Sequence, residues 1–252
     1  MHKAHFQDHF SGVSAEYRRF RPGYPEELFA WLADLAPSRV YAWDCATGSG
    51  QAARLLTGQF QRVAATDAST NQLRQAETTP GLYYLTALAE APPFRSASID
   101  LVTVAQALHW FDLERFYSEA QRVLKPGGII AAWTYNLLRI EPTINRAIKH
   151  LYVDILDSYW PQERRLVEAN YRTIPFPFRE VEAPLFTMTV DWRLGDLLGY
   201  LSTWSAVQRF RQATGGDPLE PVSAELLDAW GEPDRVRHIS WPLVIRVGVN
   251  RP

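Results

Sequence analysis

Two acidic residues and two glycines stand where a nucleoside could be bound. Asp44 closes the apolar run YAWD and is followed at once by the turn ATGSG, while Asp67 closes the run QRVAATD. Gly48 and Gly50 would let the backbone approach a ligand where a Cβ would clash, and the following helix presents unpaired N–H groups. A carboxylate placed like that of Asp67 can accept hydrogen bonds from vicinal hydroxyls, such as a ribose diol. The pattern predicts a nucleoside-cofactor site.

The same turn also fits a second cofactor pattern. Residues 48–53, GSGQAA, satisfy the G-x-G-x-x-A fingerprint of dinucleotide-binding proteins, so a nucleotide-dependent oxidoreductase is an alternative. Two observations weigh against it. The strand follows about 38 residues instead of opening the chain, and the sequence contains no Tyr-x-x-x-Lys pair, a common proton relay of dehydrogenases.

Strand and helix patterns alternate around these residues from about 39 to 135. Strands are predicted at 39–43, 61–67, 81–87, 98–107 and 129–135, and helices at 26–35, 51–60, 68–77 and 113–124, with the KPGG stretch as a turn. This alternation is typical of βα units around a parallel sheet, where ligands sit outside the carboxyl ends of the strands. The pattern then changes to a helical insertion at 137–172, a strand at 180–192 containing Pro184, a helical stretch at 194–210 and a terminal strand at 238–249.

Composition limits the classes of protein. The 252 residues are 46% hydrophobic and 21% charged, which predicts a sizeable core in one α/β domain. The net charge of −2 disfavours nucleic acid as a partner, and no apolar run approaches the roughly 20 residues of a membrane span. The start has no secretory h-region, and Cys45 is the single cysteine. We therefore predict a cytoplasmic protein without an intrachain disulfide.

Several motifs resemble those of a known superfamily. WDCATGSGQ resembles motif I of the class I S-adenosylmethionine-dependent methyltransferases, ATDAS their second motif, ALAEAPPFRSASIDLVTVAQALHWFD the next ones, and RVLKPGG the turn before the fifth strand. YRRFRPGYP, AQALHWFD and YLSTWSAVQRF resemble the branch that contains trans-aconitate methyltransferase. The resemblance spans roughly 10–247. It implies a Rossmann-like, doubly wound, mostly parallel seven-stranded sheet with an antiparallel last strand and a helical insertion after strand five.

The resemblance also assigns a cofactor, S-adenosylmethionine, and residues to bind it. Asp44 would organise the turn and the methionine ammonium end, Asp67 would hold both ribose hydroxyls, and Gln106 would lie near the methionine moiety. Ala68 would contact the adenine face, and Ala89 and Glu90 its edge. One position departs from the family pattern, because Ala46 stands where motif I has its first glycine. The predicted cofactor-binding residues are Asp44, Ala46, Gly48, Gly50, Asp67, Ala68, Ala89, Glu90 and Gln106.

Other residues could bind the methyl acceptor. A carboxylate acceptor is ionised at neutral pH and needs a cation rather than a base, and the bidentate fork of arginine suits it. Arg21 is the leading candidate, with Tyr17 four residues earlier and a solvated basic patch as the alternative. His109 could act as a general base for a hydroxyl or amine, or be a structural histidine. Trp110 and Trp133 could flank the sulfonium by cation–π contact, or belong to the core.

The predicted organisation is a single methyltransferase domain over 1–252. It comprises an N-terminal helical lid of about 1–36, a core sheet at 37–136 and 180–252, and a helical insertion of about 137–179 over the carboxyl edge. The predicted function is methyl transfer from S-adenosylmethionine to a small-molecule acceptor, with a trans-aconitate-like carboxylate as one candidate. The alternatives are a catalytically silent methyltransferase-like binding protein and an NAD(P)-dependent oxidoreductase. No metal site is predicted, and the oligomeric state is left open.

Overall fold

A computed structural model of the chain describes residues 20–251. Within them, the strands are β1 Tyr41–Cys45, β2 Arg62–Asp67, β3 Leu82–Thr86, β4 Ile99–Ala105, β5 Leu124–Thr134, β6 Arg179–Val181, β7 Thr187–Trp192, β8 Arg237–Pro242 and β9 Val244–Val249. Seven of them form one sheet in the order β3-β2-β1-β4-β5-β9-β6, while β7 and β8 pair separately. Strands β1 to β5 run parallel, and β9 is antiparallel to both of its neighbours. The predicted fold class is confirmed.

The helices that accompany the sheet also follow the predicted alternation. They are α1 Glu26–Leu35, α2 Gln51–Leu56, α3 Thr70–Leu73, α4 Leu113–Val123, α5 Pro142–Lys149, α6 Arg164–Glu168, α7 Leu194–Ser202, α8 Ser205–Thr214 and α9 Glu220–Trp230, with a π-helical segment at His150–Ile155. Asp112 caps α4 through its side chain, which accepts from the Arg115 N–H. No helix among residues 20–251 has the length and apolar character that crossing a bilayer requires.

Apolar layers cover both faces of the sheet. On one face Trp133 of β5 is fully buried and meets Phe29 of α1 edge-on, with ring centroids 5.9 Å apart. On the other face Trp43 of β1 packs against Phe116 of α4 at 6.3 Å. Because both faces are buried, the central strands are continuous apolar runs rather than alternating ones. The packing of both faces holds the strands in place, and with them the polar residues at the strand ends, such as Asp44 and Asp67.

Several predicted elements differ in their limits. The single strand predicted at 180–192 is two strands, β6 and β7, because the stretch around Pro184 interrupts pairing and lets the chain pass to the small sheet. The terminal strand is likewise split into β8 and β9 next to Pro242. The helix predicted at 68–77 keeps only α3. The predicted KPGG turn belongs to β5, where Gly127 at φ 77° donates its N–H to the Asn250 carbonyl.

Helices from two stretches, 142–168 and 194–230, form what we call the cap. The stretches are in contact, since the rings of Trp160 and Trp204 lie 5.6 Å apart. The predicted insertion of 137–179 thus supplies one half of the cap. The other half comes from 194–230, which the prediction placed in the core sheet.

The predicted N-terminal lid of about 1–36 is only partly described, because residues 1–19 lie outside the described part of the chain. Within the described part, α1 is not a lid. Its Leu28, Phe29 and Leu32 are fully buried in the core beside the sheet. The short segment before α1 carries Arg21 to the site described below.

Candidate cofactor and acceptor site

Asp44 lies beneath the turn that follows β1, with 1% of its surface exposed. Its Oδ1 accepts a hydrogen bond from Thr103 Oγ1 at 2.6 Å, and its Oδ2 accepts one from Thr47 Oγ1 at 2.5 Å. Burial, reinforced by the nearby charge of Asp67, raises the pKa of Asp44 to about 6, although the two hydroxyl donors oppose the shift. Asp44 therefore anchors the turn from below.

The residues of the turn after Asp44 adopt left-handed backbone conformations. The φ angles of Ala46, Gly48 and Gly50 are 53°, 58° and 86°. A Cβ added at Gly48 would come no closer than 4.0 Å to Gln72 Oε1, so this backbone faces open space. A Cβ at Gly50 would lie 2.3 Å from the Tyr84 hydroxyl. Gly48 thus suits the predicted approach of a ligand, whereas a side chain at Gly50 would first have to displace the ring of Tyr84.

The positive φ of Ala46 gives a physical reason for the glycine that the family has there. A left-handed conformation costs a non-glycine residue about 1–2 kcal/mol, partly offset by the greater freedom of glycine in the unfolded chain. We expect Ala46→Gly to raise the free energy of unfolding by about 0.5–1 kcal/mol. Urea titration measures this change, with Ala68→Gly as a matched control in the neighbouring turn. A lower free energy of unfolding in Ala46→Gly would contradict the inference that the backbone at Ala46 is strained.

Asp67 ties the turns after β1 and β2 together. Its Oδ2 accepts the N–H of Gly48 and its Oδ1 the N–H of Ser69, both at 2.8 Å. The carboxylate therefore stands beside the open surface at Gly48, at the carboxyl edge of the sheet. This arrangement fits a ribose diol, because a carboxylate has further lone pairs for hydroxyl donors.

The residues predicted to meet the adenine lie on the neighbouring loops. Ala68 follows Asp67 and is half-buried, and Ala89 is buried beyond the end of β3. Glu90 accepts the backbone N–H of Asp112 at 2.9 Å, which fixes its loop to the start of α4. These positions follow β2 and β3, so they lie along the same edge as Asp67.

Gln106 stands immediately after β4 and faces the cap. Its φ of 54° is unusual for a residue with a side chain. Its Nε2 donates to the Tyr135 carbonyl at 3.2 Å, and its Oε1 accepts from the Thr134 hydroxyl. The end of β5 therefore fixes the amide orientation, and such constraint is often found where a ligand is bound.

A cavity of about 120 Å³ lies between the ends of β4 and β5 and the cap. The described residues that line it include two arginines and no aspartate or glutamate. They are Arg21, Gln106, His109, Trp110, Tyr135, Asn136, Leu137, Trp160, Pro161, Arg164, Tyr200, Thr203, Trp204 and Ser205. The chemistry of this lining suits a small molecule that carries negative charge.

The two arginines of the cavity lie against aromatic rings. Arg21 donates from Nη1 to the Tyr135 hydroxyl at 3.1 Å, and its guanidinium carbon lies 5.2 Å from the Tyr200 ring centroid. The guanidinium carbon of Arg164 lies 5.1 Å from the Trp160 ring centroid. Stacked guanidinium groups keep their N–H edges directed away from the ring, where an anion can bind.

Sequence reasoning identified Arg21 but missed Arg164 and the tryptophans of the cap. Helical periodicity shows which faces of these segments are apolar, yet it does not show which arginine faces inward. The motif YLSTWSAVQRF, which contains Tyr200 and Trp204, was the one usable signal for the second half of the cap. Two other arginines of the cap lie outside the lining: Arg209 hydrogen-bonds the Tyr159 carbonyl, and Arg211 pairs with Asp217.

His109 and Trp110 both line the cavity and contact each other, with ring centroids 4.8 Å apart. The Nδ1 of His109 hydrogen-bonds the Tyr171 hydroxyl at 2.8 Å. Burial, together with the positive charge of Arg164, lowers the pKa of His109 to about 3. The ring is therefore neutral at physiological pH and a weak base, which favours a hydrogen-bonding role over general-base catalysis.

Neither Trp133 nor Cys45 lines the cavity. Trp133 is fully buried between Tyr24 and Phe29. It therefore belongs to the core, which was the alternative to its predicted contact with the sulfonium. Tyr17 lies outside the described residues. Cys45 is buried, and burial raises the pKa of its thiol well above the ordinary value, so it stays protonated. Between residues 20 and 251, no three His, Cys, Asp or Glu side chains gather as a metal site would need.

The sheet reverses its order between β1 and β4. Asp44 and the open glycine turn stand at that switch point, and Asp67 ends the adjoining strand β2. This combination defines a doubly wound nucleoside-cofactor protein. A methyltransferase domain family matches residues 43–132. A candidate methyltransferase of Dictyostelium discoideum is 34% identical over 233 residues, covering 91% of this chain and 89% of the relative. The chain therefore belongs to the class I S-adenosylmethionine-dependent methyltransferases.

A solved structure and a further relative agree with this assignment. A candidate type II methyltransferase from Anaeromyxobacter dehalogenans is 46% identical, with a TM-score of 0.87, and the match covers 92% of this chain and 99% of the other. A Saccharomyces cerevisiae protein named as a probable S-adenosylmethionine-dependent methyltransferase is 29% identical over 171 residues, 63% of this chain and 59% of its own. The cofactor is S-adenosylmethionine, and the oxidoreductase alternative, which rested on GSGQAA, is wrong.

Proposed function

We propose that this enzyme methylates a small anionic acceptor, a carboxylate, held in the cavity beneath the cap. The observation that carries the proposal is the pair of guanidinium groups, Arg21 and Arg164, among the lining residues. Arginine binds carboxylates through two parallel N–H bonds, which fixes their orientation as well as their position. A cavity of about 120 Å³ suits a metabolite rather than a polynucleotide or protein chain.

The protein would contribute mainly orientation. S-adenosylmethionine supplies an activated methyl group and a neutral leaving group, and a carboxylate acceptor is already ionised. No general base is then needed, which agrees with a neutral His109. Arg21 and Arg164 would hold the acceptor, while Trp110, Trp160 and Trp204 exclude water. Holding reactants in line can contribute about 7–11 kcal/mol to lowering the barrier.

The cofactor would extend along the carboxyl edge of the sheet. We infer that Asp67 binds the ribose, that Ala68, Ala89 and Glu90 surround the adenine, and that Gln106 lies near the methionine end. Two observations support this placement: the open surface over Gly48 and the cavity that begins at Gln106. The methyl group would then point toward the two arginines.

The acceptor class is compatible with the trans-aconitate-like branch that the motifs resemble, and we propose that branch for this chain. The single-domain organisation stays a prediction as well. So does the cytoplasmic location, for which the supporting observation is the single cysteine of the sequence.

Methylation of a carboxylate panel tests the proposed function. We expect a methyl ester product from at least one small carboxylate, with trans-aconitate tested first. Arg21→Met and Arg164→Met should each raise the KM for that acceptor about 10- to 100-fold, because a hydrogen bond to a charged group contributes about 1.5–3 kcal/mol. Isotope-labelled methyl transfer followed by mass spectrometry measures both quantities.

Arg211→Met is the matched control, since Arg211 is paired with Asp217 outside the cavity. Its KM for the acceptor should equal that of the wild type. Methyl transfer to neutral hydroxyl or amine compounds only, unaffected by Arg21→Met and Arg164→Met, would contradict the anionic acceptor.

A further inference from the structure

Tyr152 is buried behind the cavity and contacts three groups of its wall, although it does not line the cavity itself. It belongs to the π-helical segment His150–Ile155, an irregularity that often marks functional sites. Its carbonyl accepts the indole N–H of Trp160 at 3.1 Å, and its ring meets those of Trp160 and Trp204 at 4.7 and 5.8 Å. Its hydroxyl accepts the Nε–H of Arg164 at 2.8 Å.

The same hydroxyl also donates a hydrogen bond to Glu168 Oε1 at 2.6 Å. Burial raises the pKa of Tyr152 to about 12, so the hydroxyl keeps the proton that it donates at neutral pH. Tyr152 therefore accepts from Arg164 on one side and donates to Glu168 on the other.

Arg164 and Glu168 lie four residues apart on α6. Oppositely charged residues at this spacing share a helix face and are close enough to form a direct ion pair. Here the Tyr152 hydroxyl stands between them, and the ion pairs formed among the described residues do not include one between Arg164 and Glu168. Arg164 uses Nε toward Tyr152, and its terminal nitrogens make no hydrogen bond with a described residue.

We propose that Tyr152 is a positioning residue that keeps Glu168 from pairing with Arg164, so that the terminal nitrogens of Arg164 remain available to an anionic acceptor. This inference rests on the proposed function for the identity of the anion. It concerns a property of the enzyme itself, the availability of one guanidinium edge, which can be measured without any acceptor.

Phenylglyoxal modification of the full-length protein, followed by peptide mass mapping, measures that availability. We expect Tyr152→Phe to slow the labelling of Arg164 about two- to fivefold, because Glu168 then pairs with it directly and exposed pairs are of this strength. The double variant Tyr152→Phe/Glu168→Gln should restore the wild-type rate. Arg211, already paired with Asp217, serves as the reference in each digest.

If Tyr152 has only a structural role, the labelling of Arg164 will not follow this pattern. Labelling that is unchanged or faster in Tyr152→Phe would overturn the inference, and so would slower labelling that Glu168→Gln fails to restore. Glu168→Ala provides a test that leaves the buried tyrosine in place. Its Arg164 should label at the wild-type rate, and a faster rate would show that Glu168 pairs with Arg164 despite Tyr152.

The acceptor assay supplies a second readout, with trans-aconitate as the probe. Tyr152→Phe should raise its KM about two- to fivefold with little change in kcat, and the double variant should restore it. Tyr159→Phe is the matched control, because the ring of Tyr159 lies against Phe210 in the same part of the cap, with ring centroids 4.9 Å apart. If no carboxylate is methylated, the proposed function fails while the labelling results still decide the role of Tyr152.

Discussion

Replacement of Asp67 by alanine is expected to weaken the binding of S-adenosylhomocysteine about 100-fold while the protein stays folded. The carboxylate accepts the N–H groups of Gly48 and Ser69 and is assigned the ribose hydroxyls. Hydrogen bonds to charged groups contribute about 1.5–3 kcal/mol, and about 3 kcal/mol corresponds to roughly two orders of magnitude in Kd. Calorimetric titration of the cofactor-free protein measures the change.

Two further variants separate the effect of the Asp67 charge from that of its hydrogen bonds and from the loss of an unrelated carboxylate. Asp67→Asn keeps an oxygen for the Gly48 N–H but lacks the charge, so its affinity should fall between those of the wild type and Asp67→Ala. Asp191→Ala removes an exposed carboxylate of the small sheet, paired with His238, and should leave affinity unchanged. Wild-type affinity in Asp67→Ala would remove Asp67 from the cofactor site.

The cofactor-free wild type is expected to lose about 2 kcal/mol of stability relative to Asp44→Asn as the pH rises from 4 to 7. The pKa of Asp44 is about 6 in the folded protein and about 3.9 in an unfolded chain. Between these values the folded state binds more protons, so stability falls as pH rises. A difference of about two pKa units corresponds to about 3 kcal/mol over the whole titration, of which about 2 kcal/mol falls between pH 4 and 7.

Urea unfolding of both proteins at several pH values measures this difference. Asparagine has the size of aspartate and can still accept the hydrogen bond from Thr103, so the comparison isolates the ionisation. Parallel stability curves would show that Asp44 ionises in the folded protein as it does in the unfolded chain. A positively charged ligand group nearby should favour ionised Asp44, so affinity for S-adenosylhomocysteine should decrease below pH 6.

The cofactor half of the site could be predicted from the sequence because its signals are local. An acidic residue ends each of two apolar strands, and Gly48 follows within the same short turn, so topology alone brings Asp44, Asp67 and Gly48 to one edge. The sequence did not show that Ala46 has a left-handed backbone. This conformation explains why the family has a glycine at that position. For Gly50 the structure adds a contact that the sequence did not indicate, the close approach of the Tyr84 hydroxyl.

The acceptor half depends on contacts between distant stretches of chain. Arg164 and Trp204 are 40 positions apart and reach one cavity because both halves of the cap pack together. Periodicity predicted helices there but not which faces meet. Trp133 was assigned to the site although it belongs to the core. It stands at the end of β5 near the cavity, yet its side chain packs against Phe29 of α1. The side of the sheet that a strand residue occupies could not be assigned before the layers were known.

The single thiol of the chain, Cys45, is fully buried at the end of β1, one residue from Asp44. A disulfide reagent can reach it only when this part of the sheet opens, so its modification rate reports the free energy of local opening in the unaltered protein. A cofactor that binds across the adjoining turn must slow this reaction in proportion to its occupancy. The chain thus carries an intrinsic reporter of how tightly its cofactor edge is closed, with no engineered label.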